Sequence, residues 1–382
     1  MRTRGHLAAA VFIVCLWGLF SYNPSAFTTS CLWQSQSSLK LNDTVDDLPS
    51  VHVCFALSGE ETGFLREFEV ALKSVLLNAP LERDLTIHIL ADQRAYIALA
   101  NNSSTERLPP VFERIELHKW TSRNQVNLNL YDISPEIPSL LDQTRETFRR
   151  GFNSTSVEIE IEQHTAGTYF RLWADKVIPP ELNAEHLLYL DTDVVIMSNL
   201  EALMNEVNRQ PDSIFHWGIG HCAGFVIFNV RRMNEIWSLA SESDLRRISH
   251  EFEQGRVNDQ LLLVAINCTY PREVNILSEP WDMHVTSHWR PKQSLLLGRS
   301  GVGMLHFNGG AASKDAYFDN GGKFLSAYPD TWGEATYYVN LSWRWAQYQA
   351  KGLVRHGTTG YKINIHLLPS TLKTNHTHPQ SG

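Results

Sequence analysis

The sequence has no excess of positive charge and no repetitive segments. Its 33 Lys and Arg are outnumbered by 41 Asp and Glu, for a net charge of −8, and a mildly acidic chain without a basic stripe is a poor candidate for binding nucleic acid. We find no internal repeat of fixed period and no low-complexity block. Because 43% of the 382 residues are hydrophobic, a wholly disordered or fibrous chain is excluded, and the length suits one large domain or two ordinary ones.

Cysteine is scarce as well, with five residues in the chain. Four of them lie beyond the N-terminal apolar run: Cys31, Cys54, Cys222 and Cys268. None has zinc-like spacing with another cysteine or a histidine, so a structural zinc site is not expected. Four cysteines allow three disulfide pairings, and the sequence does not choose among these pairings and four free thiols.

A long hydrophobic run is also missing. The apolar run near the N-terminus extends from Leu7 to Phe20, which is shorter than the roughly 20 residues of a typical membrane span. Arg2 and Arg4 precede it, and no acidic residue occurs before Asp43. We interpret residues 7–22 as a signal-anchor with residues 1–6 in the cytosol, because thin membranes of the early secretory pathway accept short spans. A cleaved signal peptide is the alternative.

Glycosylation sequons support a location in the lumen of the secretory pathway. They occur at Asn42, Asn101, Asn102, Asn153, Asn267, Asn340 and Asn375. We therefore expect a protein of the Golgi or endoplasmic reticulum membrane with its folded domain in the lumen. Secretion is the alternative if the N-terminal segment is cleaved.

The rest of the chain is expected to contain a single folded domain. Residues 23–50 are rich in Ser, Thr, Asn and Asp without periodicity and are interpreted as a stem. Residues 51–367 form the predicted domain, and residues 368–382 a disordered tail. Residues 121–160 are polar and contain Pro135 and Pro138, so we interpret them as an insertion or a mobile segment.

The predicted elements alternate between strand and helix. Predicted strands are Val51–Leu57, Leu85–Leu90, a weaker one at Ile115–Leu117, Leu187–Leu190, Ala223–Val230 and Val302–Phe307. Predicted helices are Phe64–Leu77, Thr165–Val177, Leu200–Val207 and Asp259–Ile266. This alternation favours an α/β fold with a mainly parallel sheet flanked by helices.

Two acids follow one of the predicted strands directly, in the phrase Leu-Tyr-Leu-Asp191-Thr192-Asp193. Residues i and i+2 of an extended chain face the same way, so both carboxylates can reach one cation. The carboxyl ends of strands are where open α/β sheets bind ligands, and oxygen ligands suit Mg²⁺ or Mn²⁺. The alternative is a turn followed by a helix cap.

Five short pieces, in order along residues 51–345, resemble glycosyltransferase family 8, the retaining enzymes that include glycogenin and the lipopolysaccharide galactosyltransferases. They are Thr168-Tyr-Phe-Arg171-Leu, Leu-Tyr-Leu-Asp191-Thr-Asp193, Cys222-Ala223-Gly224, Asn258-Asp259-Gln260 and Leu305-His306-Phe307-Asn308-Gly309. The resemblance implies a GT-A type nucleotide-sugar fold, a UDP-sugar donor and a divalent cation, Mn²⁺ or Mg²⁺. The chain departs from the family at Cys222, where the family has Asn, and in its first loop, Ser58–Gly63, where uracil contacts are not assigned.

The resemblance also implies roles for individual residues. Asp191, Asp193 and His306 would be metal ligands, and Asp259 and Gln260 would face the donor sugar and the reacting centre. The remaining donor-binding residues would be Arg171, Thr192, Ala223, Gly224, Gly309 and Lys314, with Lys314 at the diphosphate. Some of these residues also have an ordinary structural alternative: a strand histidine for His306, a turn for Gly309, a surface charge for Arg171 and a helix cap for Asp259. No structural role is inferred for Gln260.

The resulting hypothesis is a metal-dependent retaining glycosyltransferase that moves a hexosyl or pentosyl group to a hydroxyl of a glycan, glycoprotein or glycolipid. Two alternatives stay open: a catalytically silent sugar-binding protein on the same fold, and a phosphatase of the haloacid dehalogenase type with Asp191 as nucleophile. An aromatic and histidine cluster lies in a loop near Pro280 and is expected to bind acceptor or to pack in the core. It comprises Trp281, His284, His288 and Trp289.

Overall fold

A computed structural model of the chain describes its folded core. The described residues are 49–59, 65, 68, 71–72, 74–76, 78–80, 83–100, 126–154, 166–196, 198–253, 257–278, 281–284, 303–306 and 363–369. The chain divides into residues 1–42 and Asp43–Gly382, and every described residue lies in the second unit. The predicted signal-anchor, nearly all of the stem and residues 370–382 lie outside the described residues. Within the described part, no helix has both the length and the apolar character of a membrane span.

A mixed sheet of eight strands forms the centre of the fold, in the order β11-β3-β2-β1-β4-β7-β6-β8. The strands are β1 (Val51–Leu57), β2 (Leu85–Ala91), β3 (Val126–Asp132), β4 (His186–Leu190), β6 (Phe215–Trp217), β7 (Phe225–Asn229), β8 (Val274–Ile276) and β11 (Ile363–Pro369). Only β7 is antiparallel to its neighbours, and the other pairs are parallel. The predicted α/β class is therefore confirmed.

A second sheet of three short strands adjoins the carboxyl end of β4. It consists of β5 (Val194–Ile196), β9 (Met283–His284) and β10 (Met304–His306), in the order β5-β10-β9. Strand β10 is antiparallel to β5 and parallel to β9. This arrangement brings residues from three distant parts of the chain to the turn that follows β4.

Helices pack against the large sheet. They are α1 (Gln93–Ala100), α2 (Ile137–Gly151), α3 (Ala166–Tyr169), α4 (Ala174–Val177), α5 (Leu200–Val207), α6 (Glu235–Glu242), α7 (Leu245–Phe252) and α8 (Asp259–Thr269), with 3₁₀ turns at Phe170–Trp173, Pro180–Leu182 and Val230–Arg232. Neighbouring residues of β1 belong to different apolar clusters: Phe55 packs on Phe68, with ring centroids 5.2 Å apart, whereas Cys54 lies in the other cluster. Because both faces of the sheet are covered, strands such as β4 and β7 are nearly continuous apolar runs.

The prediction of an insertion or a mobile segment at residues 121–160 is wrong. This segment contains β3, which lies between β2 and β11, and the amphipathic helix α2. Pro138 stands in the first turn of α2, where the missing backbone N–H has no intrahelical partner to lose. Pro138 is therefore compatible with the helix that begins at Ile137 and does not interrupt regular structure here.

Other boundaries differ slightly from the predictions. The predicted helix Thr165–Val177 is α3, a 3₁₀ turn and α4 in succession. Strand β11 ends at Pro369, two residues past the predicted end of the domain. The predicted strand Ile115–Leu117 lies outside the described residues. No disulfide joins the three described cysteines, Cys54, Cys222 and Cys268, to one another.

Candidate active site

The two acids of Asp191-Thr192-Asp193 lie at the carboxyl end of β4. The backbone N–H of Asp191 donates to the carbonyl of Gly224 at 2.9 Å, which connects the turn to the start of β7. The Tyr189 hydroxyl donates to Asp191 Oδ1 at 2.9 Å. Asp193 is 7% exposed, so the second carboxylate is held deeper in the protein than the first.

His306 reaches these acids from the small sheet. It is the last residue of β10 and pairs with Val194, the residue after Asp193. Its Nε2 lies 3.3 Å from Asp193 Oδ1. One ligand atom from each of Asp191, Asp193 and His306 lies within 4.8 Å of the others. The three side chains that the sequence predicts to share a cation therefore converge in the fold.

Asp282 holds the other nitrogen of His306. Its Oδ1 accepts from His306 Nδ1 at 3.0 Å, which leaves Nε2 facing Asp193. Although burial would raise the pKa of Asp282, its interactions with His284 and His306 lower that pKa to about 2. Asp282 therefore stays ionised, and a carboxylate behind a ligating histidine fixes the orientation of its ring.

The surroundings of His306 favour positive charge. Burial alone would lower its pKa, but the neighbouring Cys222, Asp193 and Asp282 raise that pKa well above the ordinary value. The same negative field attracts a metal ion, and two carboxylates with one imidazole form a donor set that accepts Mn²⁺ or Mg²⁺. The residues present therefore fit the predicted cation.

Gly224 allows two of the candidate ligands to approach each other. A Cβ at this position would lie 2.5 Å from Asp191 Oδ2 and 2.5 Å from His306 Cε1, which is closer than real Cβ contacts allow. Asp191 and His306 can therefore approach each other only because residue 224 has no side chain.

Arg171, in the 3₁₀ turn Phe170–Trp173, connects the acids of β4 with the start of α8. Its guanidinium is buried, with Nη2 3.1 Å from Asp191 Oδ1 and Nε 3.2 Å from Asp259 Oδ2. It also donates to the carbonyls of Thr168 and Ala223 and stacks 4.2 Å from the centre of the Tyr189 ring. Burial would lower the pKa of Arg171, but Asp191 and its other partners raise that pKa above the usual value.

Asp259 and Gln260 begin α8, which is capped by Asn258, whose side chain accepts from Leu261 N–H at 3.0 Å. Burial raises the pKa of Asp259, and Arg171 opposes the rise. The side-chain oxygen of Gln260 accepts from Ala223 N–H at 3.3 Å. Gln260 is thus held against the turn before β7 that contains Gly224, and Asp259 is held by Arg171.

The structure therefore joins eight predicted site residues in one network of contacts. They are Arg171, Asp191, Asp193, Ala223, Gly224, Asp259, Gln260 and His306. Thr192 lies in the turn between the two acids. Gly309, Lys314, His288 and Trp289 lie outside the described residues, so their roles stay predictions.

Sequence reasoning missed Asp282, although its neighbours Trp281 and His284 were singled out. Nothing in the local pattern marks it, because its hydrogen bond to His306 joins residues 24 positions apart in the chain. Trp281 packs in the core: it is 4% exposed, its ring stacks on Phe225 with centroids 6.3 Å apart, and its Nε1 donates to Glu206.

No protein-family model matches the sequence, and no curated protein does. Among solved structures, apo mouse xyloside xylosyltransferase 1 is similar at 14% identity and a TM-score of 0.49, with 68% of this chain and 98% of that chain covered. Galactosyltransferase LgtC with donor and acceptor sugar analogues is similar at 17% identity and a TM-score of 0.39, with 81% of this chain and 97% of that chain covered. Glycosyltransferase GlyE of Streptococcus pneumoniae TIGR4 is similar at 12% identity and a TM-score of 0.43, with 80% of this chain and 63% of that chain covered. These similar structures are all glycosyltransferases.

Proposed function

We propose that the chain is a metal-dependent retaining glycosyltransferase that moves a hexosyl or pentosyl group from a UDP-sugar to a hydroxyl of a secretory-pathway acceptor. The observation that carries the proposal is the convergence of Asp191, Asp193 and His306 on one point. The family resemblance of the five sequence pieces supports the UDP-sugar donor and the retention of configuration.

The three convergent side chains would hold Mn²⁺ or Mg²⁺. When bound, such an ion neutralises the charge that develops on a diphosphate leaving group. The chain's own part is to keep the ligands in place before the donor arrives. Asp282 orients the His306 ring, and Tyr189 orients Asp191.

Arg171 and Asp259 have complementary roles in this scheme. Arg171 holds Asp191 and Asp259 at the same time, so it fixes the distance between the ligand acid and the carboxylate assigned to the reacting centre. Asp259 is 5% exposed and paired with a guanidinium, an arrangement that favours electrostatic stabilisation of positive charge at the sugar over covalent attack. A front-side displacement, in which the acceptor enters on the face that the diphosphate leaves, fits this assignment.

Other parts of the proposal come from the sequence. Gly309 and Lys314 would contact the diphosphate, as the family resemblance implies. The N-terminal apolar run and the sequons support a Golgi or endoplasmic reticulum enzyme with a luminal catalytic domain. A glycan, glycoprotein or glycolipid would be the acceptor.

The test is a panel of UDP- and GDP-sugars assayed for hydrolysis with and without Mn²⁺. We expect Mn²⁺-dependent cleavage of at least one UDP-sugar and its loss in Asp193→Asn, because the amide removes one anionic ligand. The matched control is Asp142→Asn, at an exposed position of α2, which should keep full activity.

Other results would lead to a different function. Full activity of Asp193→Asn would refute the metal site. Hydrolysis of a phosphomonoester that is sensitive to vanadate, without cleavage of any nucleotide sugar, would identify a phosphatase. Binding of a nucleotide sugar without cleavage, with Mn²⁺ present, would identify a silent sugar-binding protein.

A further inference from the structure

A second group of potential metal ligands lies beside the first. One ligand atom from each of Cys222, His284 and His306 lies within 4.8 Å of the others. These residues come from the turn before β7, from β9 and from β10, so their spacing in the sequence gives no sign of a site. His306 belongs to both groups.

The chemistry of the second group differs from that of the first. A thiolate and imidazoles prefer soft or borderline ions such as Zn²⁺, whereas carboxylates suit Mn²⁺ and Mg²⁺. We propose that Cys222, His284 and His306 form a second cation site that takes Zn²⁺ and competes with the Mn²⁺ or Mg²⁺ site for His306. The ion takes Cys222 as a thiolate and both histidines as neutral imidazoles, so the protons that these three groups carry beyond those forms, including the one His284 presents to Asp282, are released to solvent.

The local fold holds Cys222 and His284 in position. Trp217 Nε1 donates to the carbonyl of Cys222 at 2.8 Å, and the turn before Cys222 is closed by a hydrogen bond from His221 N–H to Gly218 O at 2.9 Å. A Cβ at Gly220 would lie 2.6 Å from His284 Nε2. A side chain at residue 220 would therefore displace His284 from the cluster.

Competition follows from the hydrogen bond at His306. Its Nδ1 is bonded to Asp282, so Nε2 is the nitrogen available to either cation, and one lone pair serves one ion. Occupation of the second site would therefore deprive Asp191 and Asp193 of their imidazole partner. This competitive half of the proposal rests on the proposed function, whereas zinc binding by Cys222 and His284 does not.

His284 is the more accessible of the two ligands that the first group lacks, since its side chain is 26% exposed whereas Cys222 is buried. Zinc would reach the cluster from the His284 side.

The test uses Co²⁺ as a spectroscopic probe on the full chain, reduced and free of metal. Coordination by Cys222 should give a near-ultraviolet thiolate-to-cobalt charge-transfer band that saturates at one equivalent and disappears when Zn²⁺ is added. Cys222→Ser should abolish the band, and Cys268→Ser, the matched control on α8, should keep it. His284→Gln should weaken Co²⁺ binding by more than about tenfold, since loss of an outer partner alone costs that much.

Competition is measured in the same assay. Mn²⁺ should raise the Co²⁺ concentration needed for half-saturation of the band, and this effect should be lost in Asp193→Asn. Absence of the band in the unmodified chain, its persistence in Cys222→Ser, or undiminished Co²⁺ binding in His284→Gln would overturn the site. A band that is indifferent to Mn²⁺ would overturn the competition alone. Because the readout needs no sugar, the site stands or falls separately from the transferase activity.

Discussion

Asp282 Oδ1 and His306 Nδ1 lie 3.0 Å apart in a hydrogen bond that is almost completely buried. The backbone of Asp282 has a φ of 63°, a left-handed conformation that Asp and Asn adopt more readily than most residues. Asparagine can therefore replace Asp282 without backbone strain, and the variant isolates the effect of the charge.

Asp282→Asn should weaken the apparent affinity for Mn²⁺ by about 10- to 100-fold, because the outer carboxylate orients the ligating imidazole and raises its basicity. Activity at saturating Mn²⁺ should fall much less. A Mn²⁺ titration of donor hydrolysis measures both quantities. An unchanged Mn²⁺ requirement would show that Asp282 serves packing alone.

Gly224→Ala should abolish metal-dependent hydrolysis while the protein still folds. The methyl group would force apart Asp191 and His306, each of which it would meet at 2.5 Å. Donor hydrolysis and circular dichroism, measured on the same preparation, separate the two effects. Retained activity with a native spectrum would show that the two side chains need not approach each other.

Arg171 and Asp259 should be energetically coupled. Arg171→Met leaves Asp259 buried without its cation, and loss of one member of a buried ion pair destabilises a protein by about 3–5 kcal/mol. Asp259→Asn in addition to Arg171→Met should recover part of this loss. Urea unfolding of the two single variants and the double variant gives the coupling free energy, and additive changes would contradict the pairing.

A buried chain of hydrogen bonds should make stability depend on pH. His52 Nδ1 lies 3.0 Å from His88 Nε2, and His88 Nδ1 lies 3.0 Å from the Tyr131 hydroxyl. Burial lowers the pKa of His52 to about 4 and that of His88 well below its usual value. The unfolded chain therefore binds more protons below pH 6.5, so the stability present above that pH is lost as the pH falls towards 4.

The expected slope is about 1.4 kcal/mol per pH unit for each histidine, measured by urea unfolding between pH 7 and pH 4.5. His52→Gln should reduce the slope. His250→Gln, at an exposed position of α7, should leave it unchanged. A flat profile in the unmodified chain would mean that the histidines are protonated without cost in the folded state.

The sequence was most informative where strands are buried on both faces. The apolar run before Asp191 predicted β4, and the acids at its end were placed correctly, because a buried strand has few alternatives. Strand β3 was missed since Asn127 and Asn129 interrupt its apolar character, although Asn129 is only 3% exposed. Strand β3 lies between β2 and β11, and the local sequence pattern does not reveal that these two strands flank it.

The same limit applies to the candidate site. Family motifs predicted the residues that would surround the donor, and the fold brings eight of them together. The contact of Asp282 with His306 depends on the pairing of β9 and β10, and Cys222 meets His284 from a third segment, the turn before β7. Such contacts form because the topology brings distant segments together, so the hydrophobic periodicity within one segment cannot predict them.

The pairing of His306 with Val194 has a consequence for biosynthesis. The two acids leave the ribosome well before the histidine that completes their site. A nascent chain that ends ahead of β10 therefore lacks one of the three candidate ligands, and the proposed site would be complete only late in translation.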